Sequence, residues 1–147
     1  MSTCIRNTLI IGLGLIGGSL AKALRQNRQY GQIVGYDRDP EETKIGLDSG
    51  VVDVAANSLV DAVSDADLIV LAVPVKAMEK VLVDIAPFIR ETTLITDVGS
   101  TKANVVEAAI RVFSVIPPGF VPGHPIAGSE KSGVVAADST LFEKHKV

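Results

Sequence analysis

Residues 8–18, Thr8-Leu9-Ile10-Ile11-Gly12-Leu13-Gly14-Leu15-Ile16-Gly17-Gly18, carry an apolar run into three glycines spaced as GxGxxG. An acidic residue, Asp37, follows twenty positions after Gly17. That spacing predicts a strand, a tight turn and a helix whose N-terminus faces a dinucleotide pyrophosphate. Gly12 permits the sharp turn. Gly14 lets the backbone approach the phosphates, and Gly17 lets the helix lie close on the strand. The amide groups that open the helix, at Leu15 and Ile16, and its positive dipole end attract phosphate charge.

The flanks agree with this reading. Thr8 to Ile11 is β-branched and apolar, as a buried parallel strand is. Beyond the turn, Gly17, Leu20, Ala21 and Leu24 recur at helical spacing, with Lys22, Arg25 and Gln26 on the other side. A second apolar run, Ile33-Val34-Gly35-Tyr36, ends at Asp37. Arg6 ahead of an apolar stretch to Ala21 has the outline of a secretory signal, but the glycines and the amphipathic continuation argue against cleavage there.

Composition bounds the classes left open. At 147 residues the chain fits one domain with a sizeable core. Hydrophobic residues make up 47%, charged residues 21%, and the net charge is −3. Such a balance belongs to a soluble globular domain and lacks the basic field of a nucleic-acid binder. No apolar stretch runs the roughly twenty residues of a membrane span without glycine interruption. One cysteine, Cys4, excludes an internal disulfide framework and suits a reducing, cytoplasmic setting.

Apolar β-rich runs alternate with helical patterns along the rest of the chain. Pro40 to Leu47 reads as a short helix, Val51 to Ala55 as a short strand, and Ser58 to Asp61 as a capping box opening another helix. Asp67 to Val73 is a near-continuous apolar strand stopped by Pro74, after which Met78, Val81, Leu82 and Ile85 form one helical face. Thr93 to Val98 is the fifth strand. Lys102 to Phe113 is the fifth main helix, with Val105, Val106, Ala109, Ile110 and Phe113 expected to face inward. Pro117-Pro118-Gly119 precedes a sixth strand, Phe120 to Gly123. This alternation predicts an α/β, Rossmann-type, doubly wound and mainly parallel sheet spanning residues 1–147 as one dinucleotide-binding domain. Ala136 to Phe142 reads as weakly helical, and Lys144 to Val147 as the opening of a further strand. A chain that stops there reads as the front part of a longer polypeptide.

Ligands of an open parallel sheet sit beyond the carboxyl ends of its strands, so the residues there are the candidates. Asp37 is placed to accept from the adenosine ribose hydroxyls and to repel a 2′-phosphate, which favours NAD over NADP. Arg38 beside it is a candidate to stack on adenine or meet a phosphate, or is a solvated surface residue. Ala72-Val73-Pro74 forms a small, rigid corner for the nicotinamide ribose. Asp97-Val-Gly-Ser-Thr-Lys102 places Gly99 and Ser100 at the next helix start, where Ser100 or Thr101 serves as cap. The loop Gly123-His-Pro-Ile-Ala-Gly-Ser-Glu-Lys-Ser-Gly133 brings His124 to the cofactor edge. A histidine there can accept a hydroxyl proton while hydride leaves the same carbon. Glu130 is a candidate to orient that histidine or hold a gate, and no metal-ligand pattern stands out.

Together, Gly12 to Leu20, Asp97 to Lys102 and Gly123 to Gly133 resemble prephenate dehydrogenase and the related arogenate and cyclohexadienyl dehydrogenases of tyrosine biosynthesis. The first motif is shared by many dehydrogenases, whereas the third is distinctive. The resemblance implies NAD-dependent oxidative decarboxylation of prephenate to 4-hydroxyphenylpyruvate, or of arogenate to tyrosine. It gives His124 the substrate hydroxyl and its proton, Ser100 a bond to histidine and substrate, and Glu130 an influence on access. It also implies a mostly helical second domain, beyond Val147, that forms a homodimer and supplies an arginine for the ring carboxylate. On that reading residues 1–147 alone bind cofactor but turn over poorly and lose the dimer interface. Two other readings compete: a hydroxyacid dehydrogenase or pyrroline-carboxylate reductase, and a non-enzymatic NAD-sensing module. The latter two need neither the His124 loop nor Ser100 with His124.

Overall fold

Alternate residues of the first strand face opposite sides of a sheet, and both sides are apolar: Leu9 and Ile11 enter one core, Ile10 the other. Such a strand is stable only with helices on both faces. The computed structural model, which describes residues 4–27, 31–98 and 102–123, has that arrangement. Its strands are β1 (Asn7–Ile11), β2 (Gln32–Tyr36), β3 (Val54–Ala55), β4 (Leu68–Leu71), β5 (Leu94–Asp97) and β6 (Phe120–Val121). Its helices are α1 (Leu15–Asn27), α2 (Pro40–Asp48), α3 (Leu59–Asp65), α4 (Val75–Ile85) and α5 (Lys102–Phe113), with a short 3₁₀ turn at Ala86–Phe88.

The sheet runs β3-β2-β1-β4-β5-β6, and all five pairings are parallel. This is the doubly wound dinucleotide-binding order, with the strand order reversing beside β1. Residues from α1 and α2 pack with Ile10, Ile33 and Val70 on one face. Residues from α3, α4 and α5 pack with Leu9, Ile11, Ile69, Leu71 and Ile95 on the other. On α4, Met78, Leu82 and Ile85 are buried at helical spacing, as expected.

Several expected boundaries shift. Val51 and Val52 are buried but precede β3, which is only Val54–Ala55. They are loop residues in the α1/α2 core, and hydrophobicity alone does not separate these from strand. β4 ends at Leu71 and β5 at Asp97, both short of the ends of their apolar runs. On α5, Ile110 is 49% exposed, while Ala108 takes an inward place beside Val105 and Ala109. Gly99, Ser100, Thr101, the loop from His124 through Glu130 and the tail to Val147 lie outside the described residues.

Four aspartates fix the ends of this sheet. At the amino end, Asp67 accepts from Arg6 N at 2.8 Å and Asn7 N at 3.1 Å, and pairs with Arg90 Nη2 at 3.1 Å. Arg90 also donates to Ala66 O at 2.6 Å, so one cluster ties β1, β4 and α3 together. Asp53 accepts from Ile33 N at 2.9 Å and pairs with Arg25, joining β2 to α1. Asp37 and Asp97 lie at the opposite, carboxyl end.

Candidate cofactor-binding and active site

The glycine turn is built by backbone against backbone. Gly12 has φ +100°, a left-handed conformation that glycine adopts without a Cβ penalty. Its N–H donates to Tyr36 O at 2.8 Å, and a Cβ there would lie 2.5 Å from Ala72 O. A Cβ on Gly17 would lie 1.9 Å from Gly12 O and 3.0 Å from Ala72 Cβ. Helix α1 thus leans directly on the turn that precedes it, as the spacing of the glycines demands. Gly14 is different: a Cβ there would meet nothing within 4 Å. Bare backbone at the mouth of the turn, ahead of the first amides of α1, leaves room for an anion to approach closely.

Asp37 is held rather than free. Its Oδ2 accepts from Leu13 N at 2.8 Å and its Oδ1 from Asp39 N at 2.9 Å, while its own N–H donates to Thr43 Oγ1 at 3.1 Å. The carboxylate therefore clamps the glycine turn to the end of β2. Each oxygen retains a lone pair for a second donor. Arg38 is exposed beside it. No sequence pattern marks Thr43. It is a buried hydroxyl on α2, and only the fold places it under Asp37.

Ala72 and Val73 are half-buried, and Pro74 caps α4 without a side-chain hydrogen bond. Ala72 N donates to Ile11 O at 2.8 Å, which holds this corner against the glycine turn. Next along the sheet, Val98 N donates to Leu71 O at 3.1 Å. Asp97 is 1% exposed, and its Oδ1 accepts from Gly123 N at 3.1 Å. The structure therefore brings Gly12, Gly14, Leu15, Ile16, Gly17, Asp37, Arg38, Ala72, Val73 and Pro74 to one end of the sheet, where β1, β2 and β4 end. Gly99 and Ser100 follow Val98, and His124 follows Gly123, in sequence; these three and Glu130 lie outside the described residues. A cleft of about 340 Å³ lies elsewhere, between Asn7, Gln32, Val34, Ser58 and Asp61, and shares no residue with the glycine turn. Among the described residues there is no cluster of three or more metal-ligating side chains. No helix of the described residues is long and apolar enough to cross a membrane.

The residues present fit a dinucleotide: a crowded turn where no side chain can enter, an open glycine at its mouth, and a braced acid at the next strand end. They define a dinucleotide-binding domain of the doubly wound class. Residues 20–147 match the family model for the prephenate dehydrogenase nucleotide-binding domain, and the chain belongs to that family. A prephenate dehydrogenase of Lactococcus lactis is 44% identical over 140 residues, which cover 95% of this chain and 39% of that protein. The Aquifex aeolicus prephenate dehydrogenase, solved with hydroxyphenyl propionate and NAD+, superposes with a TM-score of 0.87 at 35% identity, over 99% of this chain and half of that one. The Synechocystis arogenate dehydrogenase gives 0.84 at 29% identity, over 95% and 48% respectively. The chain spans about two-fifths of the length of the Lactococcus protein.

Proposed function

We propose that this chain is the cofactor half of an NAD-dependent dehydrogenase that converts prephenate to 4-hydroxyphenylpyruvate and carbon dioxide in tyrosine biosynthesis. The observation that carries the reading is the glycine turn braced by Asp37 within a chain of this family. The likeness to a dehydrogenase solved with NAD+ and a hydroxyphenyl ligand supports both cofactor and substrate class. NAD, when bound, accepts a hydride.

Around it the residues divide the work. The α1 amino end and Gly14 take the pyrophosphate, and Asp37 takes the ribose hydroxyls. Ala72 to Pro74 and Gly99 line the nicotinamide side. His124 accepts the proton of the substrate ring hydroxyl, and Ser100 holds both histidine and hydroxyl in line. Drawing off that proton raises electron density on the carbinol carbon, which favours hydride departure. Loss of the ring carboxylate as carbon dioxide then completes the aromatic ring, and the proton returns to the phenol oxygen. Glu130 controls access to the site. The protein acts in the cytoplasm as a homodimer, with the ring carboxylate bound by an arginine outside residues 1–147.

Absorbance of NADH at 340 nm, with prephenate and then arogenate, each with NAD and with NADP, tests this assignment. Prephenate with NAD is expected to give the highest kcat/KM. Oxidation of arogenate alone would move the chain to the tyrosine-forming branch. No oxidation of either would leave a nucleotide-binding domain of another function.

A further inference from the structure

We propose that Asp97 is a positioning residue for His124, an inference that rests on the reading of His124 as the proton acceptor. Among the described residues, Asp97 is the one charged side chain that is buried, at 1% exposure. A buried carboxylate is costly unless donors compensate it, so each bond it makes is strongly held. One of those donors is Gly123 N, 3.1 Å from Oδ1, and Gly123 is the residue immediately before His124.

The sheet gives that bond its purpose. The β5–β6 register ends with Thr96 opposite Val121, so the backbone ladder stops short of Gly123. Beyond that point Asp97 continues the tie with its side chain, from the last residue of β5 across to Gly123. Gly123 directly precedes His124 in the chain, so a bond that holds Gly123 limits the positions open to the residue after it. Asp97 also precedes the Gly99-Ser100 segment by only a few residues, and one carboxylate therefore anchors both strand ends that lead to the proposed proton-handling pair.

The test uses the protein as its gene encodes it, with Asp97→Ala, Asp97→Asn and His124→Asn. Three readouts are taken: steady-state kinetics with prephenate, NAD affinity by fluorescence titration, and the histidine ring resonances by NMR. The signal missing in His124→Asn identifies His124. Asp97→Ala is expected to lower kcat about 10- to 100-fold, the scale of a small misplacement of a reacting group, while the Kd for NAD changes little. The His124 resonance should shift or broaden. Asp97→Asn keeps an oxygen that accepts from Gly123 N, and should restore most of the turnover and the resonance. Wild-type turnover and an unmoved His124 signal in Asp97→Ala would overturn the proposal. So would equal loss of turnover and NAD affinity in both variants, which marks a general folding defect. If the wild-type protein oxidises neither substrate, the proposed function fails, and the His124 resonance still decides whether Asp97 positions it.

Discussion

Gly14 and Gly17 lie three residues apart and should respond oppositely to a methyl group. At Gly17 the added carbon would sit 1.9 Å from Gly12 O, a backbone atom that cannot swing aside. Gly17→Ala is expected to cost roughly 1–3 kcal/mol, the range of an overpacked core site, read as a lower urea midpoint. At Gly14 the same carbon meets nothing within 4 Å, so Gly14→Ala should leave the urea midpoint essentially unchanged. It should still weaken NAD, because the methyl group occupies the approach to the helix amides. A Gly14→Ala protein with wild-type NAD affinity would contradict the proposed place of the pyrophosphate. Asp37 is the second residue with a separable role. Asp37→Ser removes a carboxylate bonded to Leu13 N and Asp39 N, and with it the charge that opposes a 2′-phosphate. The Kd for NAD is expected to rise about tenfold, the effect of about 1.4 kcal/mol of lost hydrogen bonding, while NADP gains relative to it. Parallel titrations with both nucleotides give the ratio, and an unchanged ratio would remove Asp37 from the basis of discrimination.

Within the sheet, side-chain ties at the amino end hold the strands together, and the carboxyl end holds the proposed ligand site. Asp67 shows the first. The Arg6 N–H is the largest influence holding its carboxyl below the ordinary range, with Asn7 N and Arg90 adding to it against the opposing effect of burial. A carboxyl whose folded pKa is depressed stabilises the fold fully above its unfolded value and ceases to do so as pH falls through the folded one. Wild-type Tm should therefore fall as pH drops below about 4, the ordinary Asp value, and Asp67→Asn should flatten that decline. Equal slopes in the two proteins would rule Asp67 out as its source. Helices were the most legible elements: α5 spans Lys102–Phe113 as its pattern predicts, because amphipathic spacing and the flanking proline-glycine segment agree. Strand ends were not. The runs through Val73 and Val98 stay apolar past Leu71 and Asp97 because the connections there are themselves packed against the sheet. Ile110 misled for a related reason. Periodicity marks a broad stripe, and on α5 the small residues Ala108 and Ala109 sit at its buried centre.

For the whole molecule, the order β3-β2-β1-β4-β5-β6 turns scattered sequence motifs into one edge. Glycine turn, Asp37 and the Ala72–Pro74 corner were legible because each follows an apolar run, and ligands gather where parallel strands end. The bonds that Leu13 N donates to Asp37, Asp37 N to Thr43 and Gly123 N to Asp97 were not, because they join residues whose spacing carries no pattern. The proposed division between a nucleotide half and a substrate half also makes a prediction. Residues 1–147 expressed alone should bind NAD and yet show no measurable prephenate oxidation, checked by titration and by absorbance on the same sample. The proposed reaction is a coupled loss of hydride and carboxylate from one substrate, with His124 taking the hydroxyl proton. The most direct measurement mixes the protein as its gene encodes it with prephenate and NAD, and quantifies NADH and carbon dioxide together. One of each is expected per prephenate consumed, with the rate reduced by two or more orders of magnitude in His124→Asn, as for loss of a general base. Undiminished NADH formation by His124→Asn, or NADH without carbon dioxide, would contradict it.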